Sequence, residues 1–185
     1  MRHKIDVAWM FPEFSRIADA RLRDQVDAVW QELWAQSEFV DIGDVPTSGE
    51  IPYPNLPHSR AVLSLCLSIA DIFESVHKVV VDRDVLIAAA ILQDASKVVE
   101  YRPAAGGGVE KTEIGKTYPH AYWAGMLATR HGVSAKVVHI ILTHSPSHAK
   151  FPDSLEGKII YYADQLDVIA IHRDGWKKES FIRRG

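Results

Sequence analysis

The stretch Ala88-Ala89-Ala90-Ile91-Leu92-Gln93-Asp94-Ala95-Ser96-Lys97-Val98-Val99-Glu100-Tyr101 decides how this chain folds. It opens as an apolar run free of Pro and Gly, the composition of a buried helix. It then meets a carboxylate, Asp94, with Lys97 one turn further on. The pattern predicts one helix from Val81-Asp82-Arg83-Asp84 to Tyr101, ahead of Pro103, with Asp82 or Asp84 as its cap. An unpaired carboxylate inside such a helix costs several kcal/mol. Lys97 would neutralise Asp94 in part, and a metal ion would do so fully. Which of the two operates depends on what other ligands the chain holds.

On the N-terminal side, Leu22, Val26, Val29, Trp30, Leu33 and Trp34 recur at helical spacing and predict an amphipathic helix over residues 13–37, its aromatics in the core. Residues 41–57 carry Pro46, Pro52, Pro54 and Pro57 with Gly43 and Gly49, and read as a long loop of the kind that borders sites. Pro57-His58 opens an apolar helix to about His77. On the C-terminal side, Gly106-Gly107-Gly108 marks a flexible loop to about Lys116. Tyr118-Pro119-His120 opens a helix that stops at His131-Gly132, and Ser134 caps another to about His144. A loop over 145–153 leads to a last helix from Ser154 to about His172. Strand signals are scarce. The expectation is an all-α, single-domain helical bundle of about six or seven helices. Residues 1–54 form an N-terminal segment with one long helix packed on the core, 55–172 the core, and 173–185 a basic tail carrying Trp176 and Phe181.

The 185 residues suffice for one domain with a substantial core, and 47% hydrophobic content is ordinary for a globular protein. A net charge of −3 with no long basic run gives no sign of nucleic-acid binding. No apolar run is long enough for a membrane span, and Met1 to Asp6 shows no apolar signal-peptide segment. The single Cys66, set in an apolar run, excludes an internal disulfide and fits a reducing cytoplasm.

Among nine histidines, His58 and His120 each open a helix and His144 ends one. Asp164 lies deep in Ile159-Ile160-Tyr161-Tyr162-Ala163-Asp164. With Asp94 they make one metal-capable side chain per successive helix, which is how a helical bundle assembles a metal site. Imidazoles suit transition metals, and carboxylates supply charge compensation and can bridge two ions.

The order His58, Gln93-Asp94, His120, His144, Asp164 resembles the HD superfamily of metal-dependent phosphohydrolases over roughly residues 55–170. The departure is Gln93, which stands where that family has the His of its His-Asp pair. The resemblance implies an HD-type helical fold and one or two divalent ions, drawn from Mn, Fe, Co, Ni and Zn, with Mg also admissible. One ion would use His58, Asp94 and Asp164, with Gln93 offering only a neutral amide oxygen; a second would use Asp94, His120 and His144. Asp167, one turn past Asp164, could orient a ligand.

Lys97, Asp94 and Asp164 are the candidate catalytic residues: Lys97 as a phosphate-binding cation, Asp164 as a proton acceptor. Lys97, Arg60, Tyr118, His148 and Tyr161 are candidates to contact substrate. The expected function is hydrolysis of a nucleotide or other small phosphate ester by metal-activated water. Three alternatives stay open: a non-phosphate hydrolase or hydratase, a di-iron oxygenase, and a non-catalytic ligand-binding module. The partners expected are a small anionic substrate and, at most, a second copy of the chain.

Overall fold

A computed structural model describes residues 3–49, 53–147 and 150–172. The tail, residues 173–185, with Trp176 and Phe181, lies outside the described residues, as does His148. Six helices of seven residues or more carry the architecture: α2 (Ala20–Gln36), α3 (Asn55–His77), α4 (Arg83–Leu92), α7 (Tyr122–Arg130), α8 (Ala135–Ile141) and α9 (Leu155–His172). Short helices α1 (Val7–Met10), α5 (Lys97–Glu100) and α6 (Glu113–Thr117) fill between them. None of the helices is long and apolar enough to cross a membrane.

Helix α4 is the axis of the fold. Every residue from Val85 to Leu92 is buried, and α2, α3, α8 and α9 all pack against it. A helix apolar on every side can be stable only in the middle of a protein. Helices α3 and α9 also pack extensively on each other. A single buried cluster runs from Val7 to Ala163, so the N-terminal segment and the remainder share one core. Leu22, Val26, Val29, Trp30, Leu33 and Trp34 are the buried stripe of α2, as their spacing predicts.

Several boundaries differ from the sequence expectation, each for a local reason. Helix α2 starts at Ala20, because the Asp19 carboxylate accepts the Arg21 and Leu22 amides at 2.9 and 3.2 Å and caps it there. Of the two candidate caps for α4, Asp82 accepts the Val85 amide, while Asp84 turns back to accept the Ala18 and Asp19 amides at 2.8 Å each. Pro57 lies within the first turn of α3, where its missing N–H has no cost.

The decisive difference is in the central stretch. The expected single helix to Tyr101 stops at Leu92, and residues 93–96 form a turn. Hydrogen bonding tightens there, with the Ala95 amide on the Leu92 carbonyl and the Lys97 amide on the Asp94 carbonyl. The Trp30 indole donates to the Ile91 carbonyl at 3.3 Å, supplying a partner at the helix end. Asp94 therefore occupies the end of a buried helix rather than its middle.

After α5 the chain forms a small antiparallel hairpin instead of an open loop. Strand β1 (Tyr101–Pro103) pairs with β2 (Val109–Lys111). Gly107 and Gly108, at φ 90° and 75°, turn the chain in a conformation that glycine adopts without strain. The Arg102 side chain reaches Glu110 across the pair at 2.8 Å.

Candidate metal centre

Asp94 is 4% exposed and is surrounded by imidazoles. Its Oδ1 lies 2.9 Å from His120 Nε2 and 3.6 Å from His144 Nε2. Its Oδ2 lies 3.3 Å from His58 Nε2, which is in turn 3.2 Å from Asp164 Oδ1. The five residues that the sequence singles out on separate segments thus lie on the two sides of Asp94, His120 and His144 on Oδ1 and His58, with Asp164 beside it, on Oδ2. One potential ligand atom each from Asp94, His120 and His144 fall within 4.8 Å of one another.

Each imidazole is oriented through its other nitrogen. His58 Nδ1 lies 2.7 Å from Asp167 Oδ2. His120 Nδ1 lies 2.9 and 3.1 Å from the two oxygens of Glu100. His144 Nδ1 lies 2.7 Å from the Ile141 carbonyl, at the end of α8, where helical partners run out. With Nδ1 engaged in this way, each ring turns Nε2 toward Asp94. Such outer partners fix tautomer and orientation in metal sites.

Glu100 is the residue that sequence reasoning missed. It is 7% exposed and accepts from the His120 ring, from the Ser96 hydroxyl at 2.5 Å and from the Ala121 amide at 3.0 Å. Ala121, next to His120, holds φ 62°, a strained conformation for a residue with a Cβ. The bond from its amide to Glu100 helps to hold the chain there. The available signal was a carboxylate buried in Val98-Val99-Glu100-Tyr101, the same oddity that singles out Asp94.

The charges support one another. Burial disfavours the His58 cation, but hydrogen bonds to Asp164, Asp167 and Asp94 outweigh it and push the imidazole up to about 12. Burial and the Lys97 ammonium oppose the His120 cation, and Glu100 with Asp94 overcome them, raising it to about 9. Burial works against the Glu100 carboxylate, and His120 and Lys97 bring it down to about 2. Against a full burial penalty, Lys97 and the three imidazoles hold Asp94 well below the usual carboxylate range.

The donor chemistry fits a divalent cation. Asp94, Asp164, Glu100 and Asp167 bring four negative charges into one largely buried region, against a single permanent cation, Lys97. Neutral imidazoles with Nε2 lone pairs would leave that region strongly negative, and a bound divalent ion supplies the missing charge.

Lys97 is buried, its Nζ 5.9 Å from the centre of the Tyr101 ring, with no ion pair among the described residues. Burial acts against its charge, yet Asp94 and Glu100 raise it above the ordinary lysine value. Arg60 departs from its expected role. Its guanidinium donates to the Met10 and Trp9 carbonyls at 2.5 and 2.7 Å and lies over the Trp9 ring, so it fastens α1 to α3. Tyr118 stacks on Tyr122, ring centres 5.1 Å apart, and is 40% exposed. Tyr161 packs edge-on against Phe151 at 4.8 Å, and burial, Tyr162 and Asp164 raise its hydroxyl. Cys66 is buried as expected, its thiol pushed up by burial and by Asp164.

A model of the HD domain family matches residues 56–169. The dihydroneopterin 2',3'-cyclic phosphate phosphodiesterase of Methanocaldococcus jannaschii is 29% identical over 113 residues, which are 60% of this chain and 45% of that protein. The chain thus matches less than half the length of that curated relative. No solved structure matches it.

Proposed function

We propose that this chain, which belongs to the HD domain family, hydrolyses small phosphate esters at a divalent-metal centre. The observation that carries the proposal is the division of Asp94. Its Oδ1 faces His120 and His144, and its Oδ2 faces His58 beside Asp164. A carboxylate shared in this way suits a bridge between two cations.

Asp94, His120 and His144 would hold one ion, and Asp94, His58 and Asp164 the other. When bound there, such ions would supply Lewis acidity, which lowers the pKa of water from 15.7 toward about 7 and offsets phosphoryl charge. The protein's own groups do the rest. The ammonium of Lys97, one turn from Asp94, binds a phosphoryl oxygen through a charge-assisted hydrogen bond. That cation also stabilises the charge that builds on the equatorial oxygens as water adds to phosphorus and the ester P–O bond breaks. Asp164 accepts the proton that the water gives up, and the departing alkoxide takes a proton from solvent. Asp167 and Glu100 keep His58 and His120 from rotating away.

The substrate class is a nucleotide or another small phosphate ester. The relative's name makes a 2',3'-cyclic phosphate the first compound to test. Protein purified without chelator should contain a divalent metal by elemental analysis. It should turn over a cyclic or linear phosphate ester when supplied with Mn2+, Co2+, Ni2+, Fe2+ or Mg2+, and Asp94→Ala should be inactive. Protein that takes up no divalent ion, or turnover that survives both EDTA and Asp94→Ala, would overturn the proposal.

A further inference from the structure

We infer that Gln93 is a metal ligand through its amide oxygen, and that it makes the His58–Asp164 side of Asp94 a site for a harder, more weakly held ion. The inference rests on the reading of Asp94 as the hub of a metal centre. Gln93 has no exposed surface, and neither its Oε1 nor its Nε2 has a hydrogen-bond partner. Buried amides are almost always satisfied, because leaving one unpaired costs its full desolvation. Packing does not explain the choice of residue, since a leucine would fill a similar volume with no orphaned polar atoms. The amide belongs to the residue immediately before Asp94, in the turn where α4 ends. The same turn carries Asp94, and a cation at the centre that Asp94 organises would give the amide oxygen its partner.

The two sides of that centre differ in what Gln93 could add. His120 and His144 already give Oδ1 two imidazoles, with the three donors within 4.8 Å of one another. The Oδ2 side has a single imidazole, His58, and one further carboxylate, Asp164. Adding Gln93 Oε1 makes that side one nitrogen and three oxygens. Oxygen-rich sets suit Mg2+ and Mn2+, whereas imidazole-rich sets favour Co2+, Ni2+ and Zn2+. An amide oxygen is a weaker donor to transition metals than an imidazole nitrogen, so such an ion on this side is held less tightly. The chain then carries two unlike ions, a transition metal on His120–His144 and a harder, exchangeable one on His58–Gln93–Asp164.

Metal binding by full-length protein, stripped with chelator and refilled, tests this without reference to turnover. Co2+ uptake is followed by absorption spectroscopy and elemental analysis, and Mn2+ uptake by EPR. The wild type should retain one Co2+ through gel filtration and bind one Mn2+ in addition, more weakly. Gln93→Leu should keep the tight Co2+ and lose the Mn2+ site, with affinity down by about tenfold or more. Gln93→His should retain two Co2+ through gel filtration. Unchanged Mn2+ binding in Gln93→Leu, or one retained Co2+ in Gln93→His, overturns the role of Gln93 while leaving the tight site standing. A wild type that retains no Co2+ overturns the metal centre itself, a distinguishable result.

Discussion

On one side of Asp94, Oδ1 meets His120 and His144 at 2.9 and 3.6 Å. On the other, Oδ2 meets His58 at 3.3 Å, with Asp164 3.2 Å from the same imidazole nitrogen. The scaffolds differ as much as the donors do. His58 and Asp164 project from α3 and α9, two long helices that pack on each other. His120 and His144 lie in connections, one just before α7 and one just past α8. Those connections lack a helix to hold the rings, and the Glu100 carboxylate and the Ile141 carbonyl take that part. A ligand on a regular helix inherits its position from core packing, while a ligand on a turn needs a dedicated partner. Glu100 is that partner for His120, and α5 and α6 hold it in place.

The severest test of the division removes its hub. Asp94→Ala should abolish binding of both ions and reduce activity to background, measured by elemental analysis and phosphate release. A full complement of metal in that variant would remove the centre from the account. Next come the two sides separately. His144→Ala should lose the tightly held ion, whereas His58→Ala should retain it, so calorimetric titration with Co2+ should separate the two. Equal losses would erase the distinction between the sides.

Smaller effects follow from the outer partners. Glu100→Gln and Asp167→Asn should each weaken metal binding by roughly 10- to 100-fold, on the His120 and His58 sides respectively. Gly115→Ala should act on the His120 side alone. A Cβ there would fall 2.2 Å from the Glu100 carbonyl oxygen, so α6 must shift. A cost of about 1–3 kcal/mol should appear as a lowered midpoint in urea, with metal affinity reduced on the His120 side.

The mildest prediction concerns pH in metal-free protein. His120 rises from 6.5 to about 9, so folded protein holds a proton more tightly than unfolded. That stability is fully present below 6.5 and is lost as pH rises through about 9. His58, raised to about 12, extends the same trend upward. Glu100 drops from 4.5 to about 2, so its contribution is present above 4.5 and is lost as pH falls toward 2. Thermal midpoints measured in chelator should therefore peak between these windows and decline on the alkaline side. Bound metal replaces the imidazole protons, so apparent metal affinity should rise over the range in which the metal-free midpoint falls. A flat midpoint from pH 6.5 to 9 would contradict the charge state assigned to His120.

Much of this was legible in residue patterns. The stripe from Leu22 to Trp34 has one possible buried face, and the run from Val85 to Leu92 can only be a core helix. His58, Asp94, His120, His144 and Asp164 stood out because each sets a polar, metal-capable group against apolar neighbours. The break at Gln93 was not legible. Helical periodicity continues through Val98 and Val99, and the partner of the Ile91 carbonyl is Trp30, 61 residues away. The hairpin at 101–111 was hidden by its three-residue strands, too short for a pattern. Arg60 could be placed near an anion as long as its carbonyl partners on Trp9 and Met10 were unknown.

The sequence by itself determined the class of fold and the kinds of atom available to a metal, because burial and donor chemistry are properties of residue type and spacing. Tertiary structure alone decided which oxygen of Asp94 faces which imidazole, which carboxylate steadies which ring, and that the amide of Gln93 is left without a partner. Those outcomes depend on contacts between segments far apart in the chain, and no local pattern encodes a distance across the core.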